Sequence, residues 1–506
     1  MSSEERTVAG SRTSSDNPVA QPVPPAVQQT VRELVDLSPV LDELGRRFTA
    51  AGFEVHLVGG SVRDALLAAG GKERNPRMPG DLDLTTDARP EQILGLLHGW
   101  AGSTWNTGIA FGTVGAEIRG MRVEITTFRA DRYDRESRNP EVAWGNSLVD
   151  DLVRRDFTVN AMAVSLGPDR TVTDPFGGLG DLLAGRLRTP GPAVDSFADD
   201  PLRMLRAVRF VAQLGLVPDD AVVAAMTSLA PELGRITAER VQAELSKTLV
   251  QDSPRAALEL FVATGLADVV LPELPALRME IDEHHQHKDV YTHSLTVLDQ
   301  AIELEKADSA AESPDLVLRL AALLHDIGKP ATRRHEARGR VSFHHHEVVG
   351  AKLVRKRLTA LRYPKDVVEA VARLTFLHLR FHGYGGGQWT DSAVRRYVTD
   401  AGDLLARLHK LVRSDSTTRN KRRAAILSAT YDSLEERITE LSQQEDLARV
   451  RPDLDGNAIM ELLGLEPGPE VGQAWRFLKE LRLERGPLDR DEAEVALQEW
   501  WAAREA

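Results

Sequence analysis

The 506-residue chain contains no cysteine, which excludes disulfide bonds and thiolate metal sites. Long apolar runs are also missing. No stretch approaches the roughly 18 consecutive apolar residues that a membrane span needs, and no signal peptide opens the sequence. These absences favour a protein of a reducing, cytoplasmic compartment that contacts no membrane.

An excess of basic residues is lacking as well. The chain has 63 Lys and Arg against 76 Asp and Glu, and its formal net charge is −13. Any RNA contact must therefore come from local basic faces and not from a global field. The length predicts several domains. Residues 1–30, rich in Ser, Pro, Val and Gln without periodicity, are predicted to be a disordered tail.

The most informative stretch is Gly80-Asp81-Leu82-Asp83-Leu84, in which acidic and apolar residues alternate. A β-strand here would place Asp81 and Asp83 on one face, because strand side chains alternate between faces. Two neighbouring carboxylates repel each other, and a cation relieves the repulsion. Mg²⁺ usually takes one or two carboxylates plus substrate phosphates. Taken alone, the motif equally fits a solvent-facing strand edge.

A candidate phosphate cradle precedes this stretch. A predicted strand at 54–58 leads into Gly59 and Gly60, and a helix is predicted from Ser61. Glycines let backbone N–H groups approach a ligand, and a helix N-terminus favours negative charge. Arg63 could add a bidentate phosphate contact. A cradle followed by paired carboxylates predicts a nucleoside triphosphate and metal-assisted phosphoryl or nucleotidyl transfer.

Strands and helices are predicted to alternate around these motifs. An apolar rhythm predicts a helix from Val31 to Ala51, and a further helix is predicted near 90–98. Residues 112–118 and 122–128 are predicted to form a hairpin around Gly120. On its second strand, Glu124 is either a third carboxylate beside the metals or a cross-strand partner of an arginine.

The next segment adds polar candidates. Residues 130–147 are predicted to be a mobile loop over the site, and 152–163 are predicted to open a helix. On that helix Asp156 and Asn160 would share a face, with Arg155 beside them. Local capping and pairing explain these side chains as well as ligand binding does.

In order and spacing, these motifs resemble the class II tRNA nucleotidyltransferases, the CCA-adding enzymes, which share a head with bacterial poly(A) polymerases. The resemblance covers roughly residues 50–275. It implies an α+β head with a mixed sheet and helices, and Mg²⁺ held by Asp81 and Asp83. It also implies that Arg155, Asp156 and Asn160 contact the nucleotide.

The same resemblance implies that Asp200 and Arg203 act as a protein template for incoming bases. A carboxylate accepts from an exocyclic amino group, and a guanidinium donates to ring nitrogens and carbonyls. C and A carry such an amino group, whereas U does not. Arg203, Arg206 and Arg209 form a basic stripe that either faces solvent or contacts triphosphate or RNA.

A second set of residues follows beyond residue 275. It comprises His293, His325, Asp326 and Asp415, and it resembles the HD superfamily of metal-dependent phosphohydrolases. Imidazoles and carboxylates suit a divalent transition metal, which lowers the pKa of a bound water. His346 is a candidate ligand for a second metal, and other histidines lie nearby: His344, His345, His378 and His382. An active hydrolase and an inactive scaffold both fit.

The predicted organisation is a disordered tail (1–30), a nucleotidyltransferase head (31–190), an all-α neck and body (191–275), an all-α HD domain (285–430) and a helical C-terminal region (431–506). The predicted reaction adds C, C and A to tRNA from CTP and ATP, with release of pyrophosphate. Three alternatives stay open: a poly(A) polymerase, an HD-dependent 2′,3′-cyclic phosphodiesterase or phosphatase with an accessory head, and a non-catalytic RNA-binding protein.

Overall fold

The computed structural model describes residues 23–36, 38–69, 81–105, 112–129, 145, 147–279, 289–308, 314–336, 341–381, 389–417, 420–447 and 450–505. Several predicted features lie outside the described residues: most of the tail, Gly80, nearly all of the loop at 130–147, and His382. The chain divides into two compact units, Met1–Arg235 and Ile236–Ala506. Among the described helices, none combines the length and apolar character that a bilayer crossing requires.

The first unit mixes helices and strands. Its helices are α1 (Pro25–Asp36), α2 (Pro39–Ala50), α3 (Gly60–Ala69), α4 (Pro90–Leu97), α5 (Leu148–Val153), α6 (Gly178–Ala184), α7 (Ala193–Asp199), α8 (Leu202–Leu214) and α9 (Asp220–Leu229). Its strands are β1 (Val55–Val58), β2 (Asp81–Thr86), β3 (Ser103–Trp105), β4 (Thr113–Ile118), β5 (Met121–Thr127), β6 (Ala163–Ser165), β7 (Val172–Thr173), β8 (Arg186–Leu187) and β9 (Val217–Pro218). Short 3₁₀ turns cover Thr158–Asn160 and Ala230–Arg235.

Seven of the described strands form one sheet in the order β3-β4-β5-β2-β1-β6-β7. β2 and β5 run parallel and the other neighbours run antiparallel, which confirms the mixed sheet predicted for the head. On β2, Leu82 and Leu84 are buried while Asp81 and Asp83 are exposed. The predicted alternation is therefore confirmed, and both carboxylates lie on one open face of a central strand.

The predicted hairpin is confirmed. β4 and β5 pair up to Ile118 and Met121, so the loop consists of Arg119 and Gly120. Both loop residues have positive φ, 51° and 79°. A two-residue loop with positive φ at both positions matches the right-handed twist of the strands. This tight turn sets the register that places Glu124.

The N-terminal helix prediction is wrong in its limits. α1 begins at Pro25, inside the predicted tail, and α2 begins separately at Pro39. The Ser38 hydroxyl accepts a hydrogen bond from the Leu41 N–H at 3.4 Å. A serine cap followed by proline at the first helical position starts a new helix, which divides the predicted single helix into two.

The prediction that a helix opens at 152–163 is also wrong. α5 ends at Val153, and the Asp156 carboxylate accepts from the Phe157 N–H at 2.8 Å. A side chain bonded to its own neighbouring backbone competes with helix formation. Ala163 then pairs with Val58 as the start of β6. The sheet, and not helical periodicity, therefore decides the path of this segment.

The second unit is helical. Its helices are α10 (Ala238–Leu249), α11 (Arg255–Ala263), α12 (Leu266–Val270), α13 (Val290–Ala307), α14 (Leu316–Leu324), α15 (Lys329–Thr332), α16 (His346–Ala360), α17 (Lys365–Leu377), α18 (Asp391–Ala401), α19 (Leu405–Asp415), α20 (Lys421–Gln444), α21 (Gly456–Leu463), α22 (Pro469–Arg485) and α23 (Arg490–Glu505). β10 (Arg334–His335) and β11 (Val341–Ser342) pair antiparallel. Short 3₁₀ turns cover Pro275–Leu277 and Gly402–Leu404.

Five helices of this unit surround the second candidate site. α13 packs on α14 and α19, and α17 packs on α14 and α16. The apolar helix α14 is buried from Leu318 to Leu324. After it, Gly328 lies so close to α16 that a Cβ would be 2.0 Å from the His346 carbonyl oxygen. Only glycine fits this approach, which brings the end of α14 against the start of α16.

Candidate functional sites

The open face of the first-unit sheet carries three carboxylates. Asp83 on β2 lies directly beside Glu124 on the parallel strand β5, and Asp81 lies beside Arg122. Glu124 faces Gly115 on its other side. Its strand neighbours are thus an acid and a glycine, so the structure does not favour the alternative of a directly cross-strand arginine.

Crowding perturbs two of these acids. Although Asp83 is accessible to solvent, desolvation by surrounding atoms raises its pKa, Asp81 adds to the rise, and Arg155 opposes it. Desolvation also raises the pKa of Glu124, and the charges of Asp83 and Asp81 reinforce this effect. A divalent cation would relieve this repulsion, so the donor set fits Mg²⁺.

The glycine turn lies against these carboxylates. Gly59 has φ +71°, and a Cβ there would be 3.2 Å from the nearest Arg155 guanidinium nitrogen and 3.6 Å from Asp83 Oδ2. Glycine is therefore required both for the turn and for the close approach of Arg155. α3 begins at Gly60 and packs on β2, so its N-terminus, which favours negative charge, lies beside the carboxylate strand. The Ser61 hydroxyl donates to the Asp81 carbonyl at 3.3 Å.

A buried chain of hydrogen bonds joins the remaining predicted nucleotide contacts. Arg63 is buried and donates to Asn160 Oδ1 at 2.7 Å, and Asn160 donates to Asp156 Oδ1 at 3.0 Å. Arg206 on α8 donates to Asp156 Oδ2 at 2.8 and 2.6 Å. Burial alone would raise the pKa of Asp156, but Arg206 and the bond from Asn160 lower it to about 2. This chain links α3 to α8.

The predicted template residues lie at the start of α8. Asp200 accepts from the Leu202 N–H at 3.1 Å. Arg203 donates to the Ser196 hydroxyl at 2.8 Å and to the Arg154 carbonyl at 2.6 Å. Arg209, further along α8, donates to Gln213 at 2.7 Å. The arginines of the predicted stripe therefore differ: Arg206 is tied into the core of the unit, whereas Arg209 bonds along its own helix.

In the second unit the structure brings the HD residues together in two groups. His293, His325 and Asp415 form one group, and Asp326, His346 and His378 form the other. Within each group, one ligand atom per residue lies within 4.8 Å of the others. His293 Nε2 is 2.9 Å from Asp415 Oδ1, and His346 Nε2 is 3.2 Å from Asp326 Oδ1.

All four histidines of these groups are oriented through Nδ1. His325, His346 and His378 pair Nδ1 with backbone carbonyls of Ala322, Phe343 and Thr375 at 2.9, 2.9 and 2.6 Å. His293 Nδ1 lies 3.1 Å from the Thr417 hydroxyl. A donor bond from Nδ1 leaves the Nε2 lone pair for a metal. The fully buried Nε2 of His325 lies 3.2 Å from Asp326 Oδ2 and 3.5 Å from Asp415 Oδ1. A metal bound there would replace the proton of this nitrogen, and the imidazole and carboxylate donors around it fit a divalent transition metal.

Charges within this centre are strongly coupled. Burial opposes the charged form of His325, yet the carboxylates of Asp326 and Asp415 raise its pKa to about 10. Burial and the charge of His325 lower the pKa of His378 to about 3. His325 holds the pKa of Asp326 and Asp415 well below the usual range despite their burial.

Sequence reasoning included His346 and missed two neighbours of this centre. Lys329 Nζ lies 2.8 Å from Asp326 Oδ2, and Thr417 orients His293. His344 and His345 are exposed and belong to neither group. The pairing of each Nδ1 with a backbone carbonyl or with Thr417 has no distinctive sequence signal. Lys329 could have been found, because it lies three residues after Asp326 of the His-Asp pair.

Three family models match the chain. Residues 55–188 match the poly A polymerase head domain, and residues 215–277 match a probable RNA and SrmB-binding site of polymerase A. Residues 290–419 match the HD domain.

Curated relatives match over different lengths. An A-adding tRNA nucleotidyltransferase from Deinococcus radiodurans is 35% identical over 361 residues, which cover 70% of this chain and 80% of that protein. A CCA-adding enzyme from Leuconostoc mesenteroides is 40% identical over 255 residues, which cover 50% of this chain and 58% of that enzyme. The chain thus spans little more than half of this CCA-adding relative.

Solved structures share the fold. The Bacillus stearothermophilus CCA-adding enzyme in complex with CTP has a TM-score of 0.62 at 24% identity, covering 96% of this chain and 99% of that one. The Thermotoga maritima CCA-adding enzyme complexed with tRNA has a TM-score of 0.59 at 18% identity, covering 94% and 98%.

Proposed function

This chain belongs to the family of tRNA nucleotidyltransferases that includes CCA-adding and A-adding enzymes, and from that premise we propose that it adds C, C and A to the 3′ end of tRNA. The substrates are CTP, ATP and a tRNA that lacks its terminal CCA, and pyrophosphate is released. We also propose that the protein acts in the cytoplasm.

One observation carries this proposal: the crowded carboxylates of Asp81, Asp83 and Glu124 lie on an open sheet face beside the glycine turn at Gly59. An acceptor as large as a tRNA 3′ end needs such an exposed site. The raised pKa values of Asp83 and Glu124 indicate a site that is short of positive charge. The divalent cation that accompanies a nucleoside triphosphate would supply this positive charge at the carboxylates.

In the proposed reaction, the tRNA 3′-hydroxyl attacks the α-phosphate of the nucleotide, and the bond to the pyrophosphate leaving group breaks. Asp81 and Asp83 would hold Mg²⁺, which lowers the pKa of the hydroxyl and offsets phosphate charge. The first N–H groups of α3 and the guanidinium of Arg155 bind triphosphate oxygens. Asp200 and Arg203 select bases that carry an exocyclic amino group.

The test is incubation of a tRNA that lacks CCA with Mg²⁺ and CTP, with ATP, or with both. We expect two C residues with CTP alone and complete CCA with both nucleotides. Extension by ATP alone into a long tail would identify a poly(A) polymerase. Extension only of a tRNA that already ends in CC would identify an A-adding enzyme, a function that the extensive match to the Deinococcus protein makes the nearest alternative.

A second candidate function belongs to the HD centre. We propose that His293, His325 and Asp415 hold a divalent transition metal, and that Asp326, His346 and His378 hold a second, which together supply an activated water for phosphoester hydrolysis. The two preoriented ligand groups favour this activity over a scaffold. Hydrolysis of 2′,3′-cyclic nucleotides and terminal phosphates with Mn²⁺, Ni²⁺, Co²⁺ or Mg²⁺ tests it, and an inert protein would show that the HD domain is a scaffold.

A further inference from the structure

A buried carboxylate outside the predicted site residues holds the turn that carries Asn160. Asp181 lies on α6 and is completely buried. The hydroxyl of Thr158 donates to Asp181 Oδ2 at 2.7 Å. Because Thr158 opens the 3₁₀ turn that ends at Asn160, this bond ties the turn to α6.

Two arginines compensate the Asp181 charge. Arg188 Nε donates to the two carboxylate oxygens at 3.0 and 2.9 Å, and an Arg186 nitrogen lies 3.3 Å from Oδ1. Arg188 also donates to the Phe176 carbonyl at 3.2 Å. A buried charge paired and hydrogen-bonded in this way is fixed in place. Asp181 is therefore a rigid acceptor for the Thr158 hydroxyl.

The backbone holds the same turn from other directions. The Thr158 N–H donates to the Arg188 carbonyl at 2.8 Å. A Cβ on Gly178 would lie 2.1 Å from the Thr158 carbonyl oxygen, so α6 begins directly against the turn. The Asp174 carboxylate caps this helix by accepting from the Gly178 N–H at 2.7 Å. Among these contacts, the hydroxyl bond is the one that an isosteric substitution of Thr158 removes.

The turn leads directly to the nucleotide residues. Asn160, at its end, accepts from Arg63 at 2.7 Å and donates to Asp156 at 3.0 Å. Asp156 in turn binds Arg206 of α8. A displacement of the turn therefore reaches both α3, which follows the glycine turn, and α8, which carries Arg203.

We propose that Asp181, acting through Thr158, is a positioning residue for nucleotide binding. It sets the place of Asn160, and through Asn160 that of Arg63 and Arg206, around the incoming CTP or ATP. This inference rests on the proposed function, because it takes these residues to surround the nucleotide. Since Asp181 acts through another side chain, its effect falls on nucleotide affinity and not on the chemical step.

The test compares Thr158→Val, which keeps the shape and removes the hydroxyl, with Thr158→Ser, which keeps the hydroxyl. Thr127→Val is the matched control, because the buried Thr127 hydroxyl donates to the Ala88 carbonyl at 2.7 Å in the same unit. The measurements are KM and kcat for ATP and CTP, the Kd of ATP with Mg²⁺ in the absence of tRNA, and the melting temperature.

We expect Thr158→Val to raise KM and Kd about tenfold with kcat changed less than about threefold. Thr158→Ser should restore both constants to near wild type. Thr127→Val should lower the melting temperature by about as much as Thr158→Val does, because each loses one buried hydroxyl bond, but it should leave the Kd of ATP unchanged. An unchanged Kd in Thr158→Val, no rescue by serine, or an equal rise in the control would each overturn the proposal. If wild type binds ATP but does not extend tRNA, the proposed function fails, and the Kd comparison still decides this inference.

Discussion

The carboxylates of the two candidate sites differ in exposure, and their pKa values shift in opposite directions. In the first unit, Asp81, Asp83 and Glu124 are exposed, and desolvation and mutual repulsion raise the pKa of two of them. In the second unit, the carboxylate of Asp326 is buried among histidines, and the charges of His325 and Lys329 hold its pKa well below the usual range despite that burial.

This difference in exposure and charge indicates that the two sites bind different metal ions. An exposed oxygen site that is short of positive charge suits a cation that arrives with its nucleotide and leaves with pyrophosphate. A buried imidazole site whose ligands are already oriented suits a resident metal that acts on water. The residues of each site lie within one unit, so each set can be broken without removing a residue of the other.

The largest effect is expected from Asp81→Ala or Asp83→Ala. Either change should lower the rate of nucleotide addition about a thousandfold or more, because it removes a ligand of the catalytic cation. The melting temperature should not fall, since one repelling acid is removed. Single-turnover extension of tRNA measures the rate. Addition near the wild-type rate in either variant would refute the assignment of these carboxylates.

A complementary change in the second unit is His325→Ala combined with Asp326→Ala. It should remove hydrolysis of 2′,3′-cyclic nucleotides and weaken Mn²⁺ binding at least about a hundredfold, because both ligand groups lose a member. Nucleotide addition should stay within about threefold of wild type. Loss of addition in a well-folded double variant would contradict the separation of the two sites.

Arg203→Ala should have a smaller effect, on selectivity. We expect the KM for CTP and ATP to rise about tenfold and discrimination against UTP to relax, because a donor to the base edge is lost. Incorporation of all four nucleotides measures this. Arg235→Ala is a surface control, since Arg235 pairs with Glu232 at 3.1 Å and is largely exposed. Unchanged selectivity in Arg203→Ala would remove it from the template role.

The smallest effect concerns pH and Asp156. Its pKa is lowered from 3.8 to about 2, so its ionised form stabilises the fold at neutral pH by about 2 kcal/mol. The sign follows from the lowered value: the stabilisation is present above pH 4 or so and is lost as the pH falls toward about 2. The gap in melting temperature between wild type and Asp156→Asn should narrow over that window. A melting-temperature difference that stays constant between about pH 4 and about pH 2 would contradict the lowered pKa of Asp156.

How far the sequence predicts the molecule depends on whether the signal is local. Alternation predicts that Asp81 and Asp83 share one face, and Gly120 between two strand-like segments predicts the hairpin; both predictions are confirmed. The segment after Val153 failed because Asp156 binds its own backbone and Ala163 joins a distant strand, and neither is visible in helical periodicity.

The same limit applies to the sites. The HD residues are identified by their resemblance to the HD superfamily. The helices that bring them together in two ligand groups are not located relative to each other by the sequence. Sequence analysis did not single out Asp181, because a single aspartate on a short helix belongs to no recognisable sequence motif. The positioning role that we propose for Asp181 depends on its buried hydrogen bond with Thr158, which lies 23 positions earlier in the chain.

The most direct test of the difference between the sites is selective metal removal from the intact protein. The protein is loaded with Mn²⁺, stripped with a chelator that binds transition metals strongly, and assayed for CCA addition with Mg²⁺ in excess while its metal content is measured. We expect addition at the full rate after the transition metal is gone, because the exposed carboxylates take Mg²⁺ together with the nucleotide. A loss of addition in step with the loss of the buried metal would contradict the account.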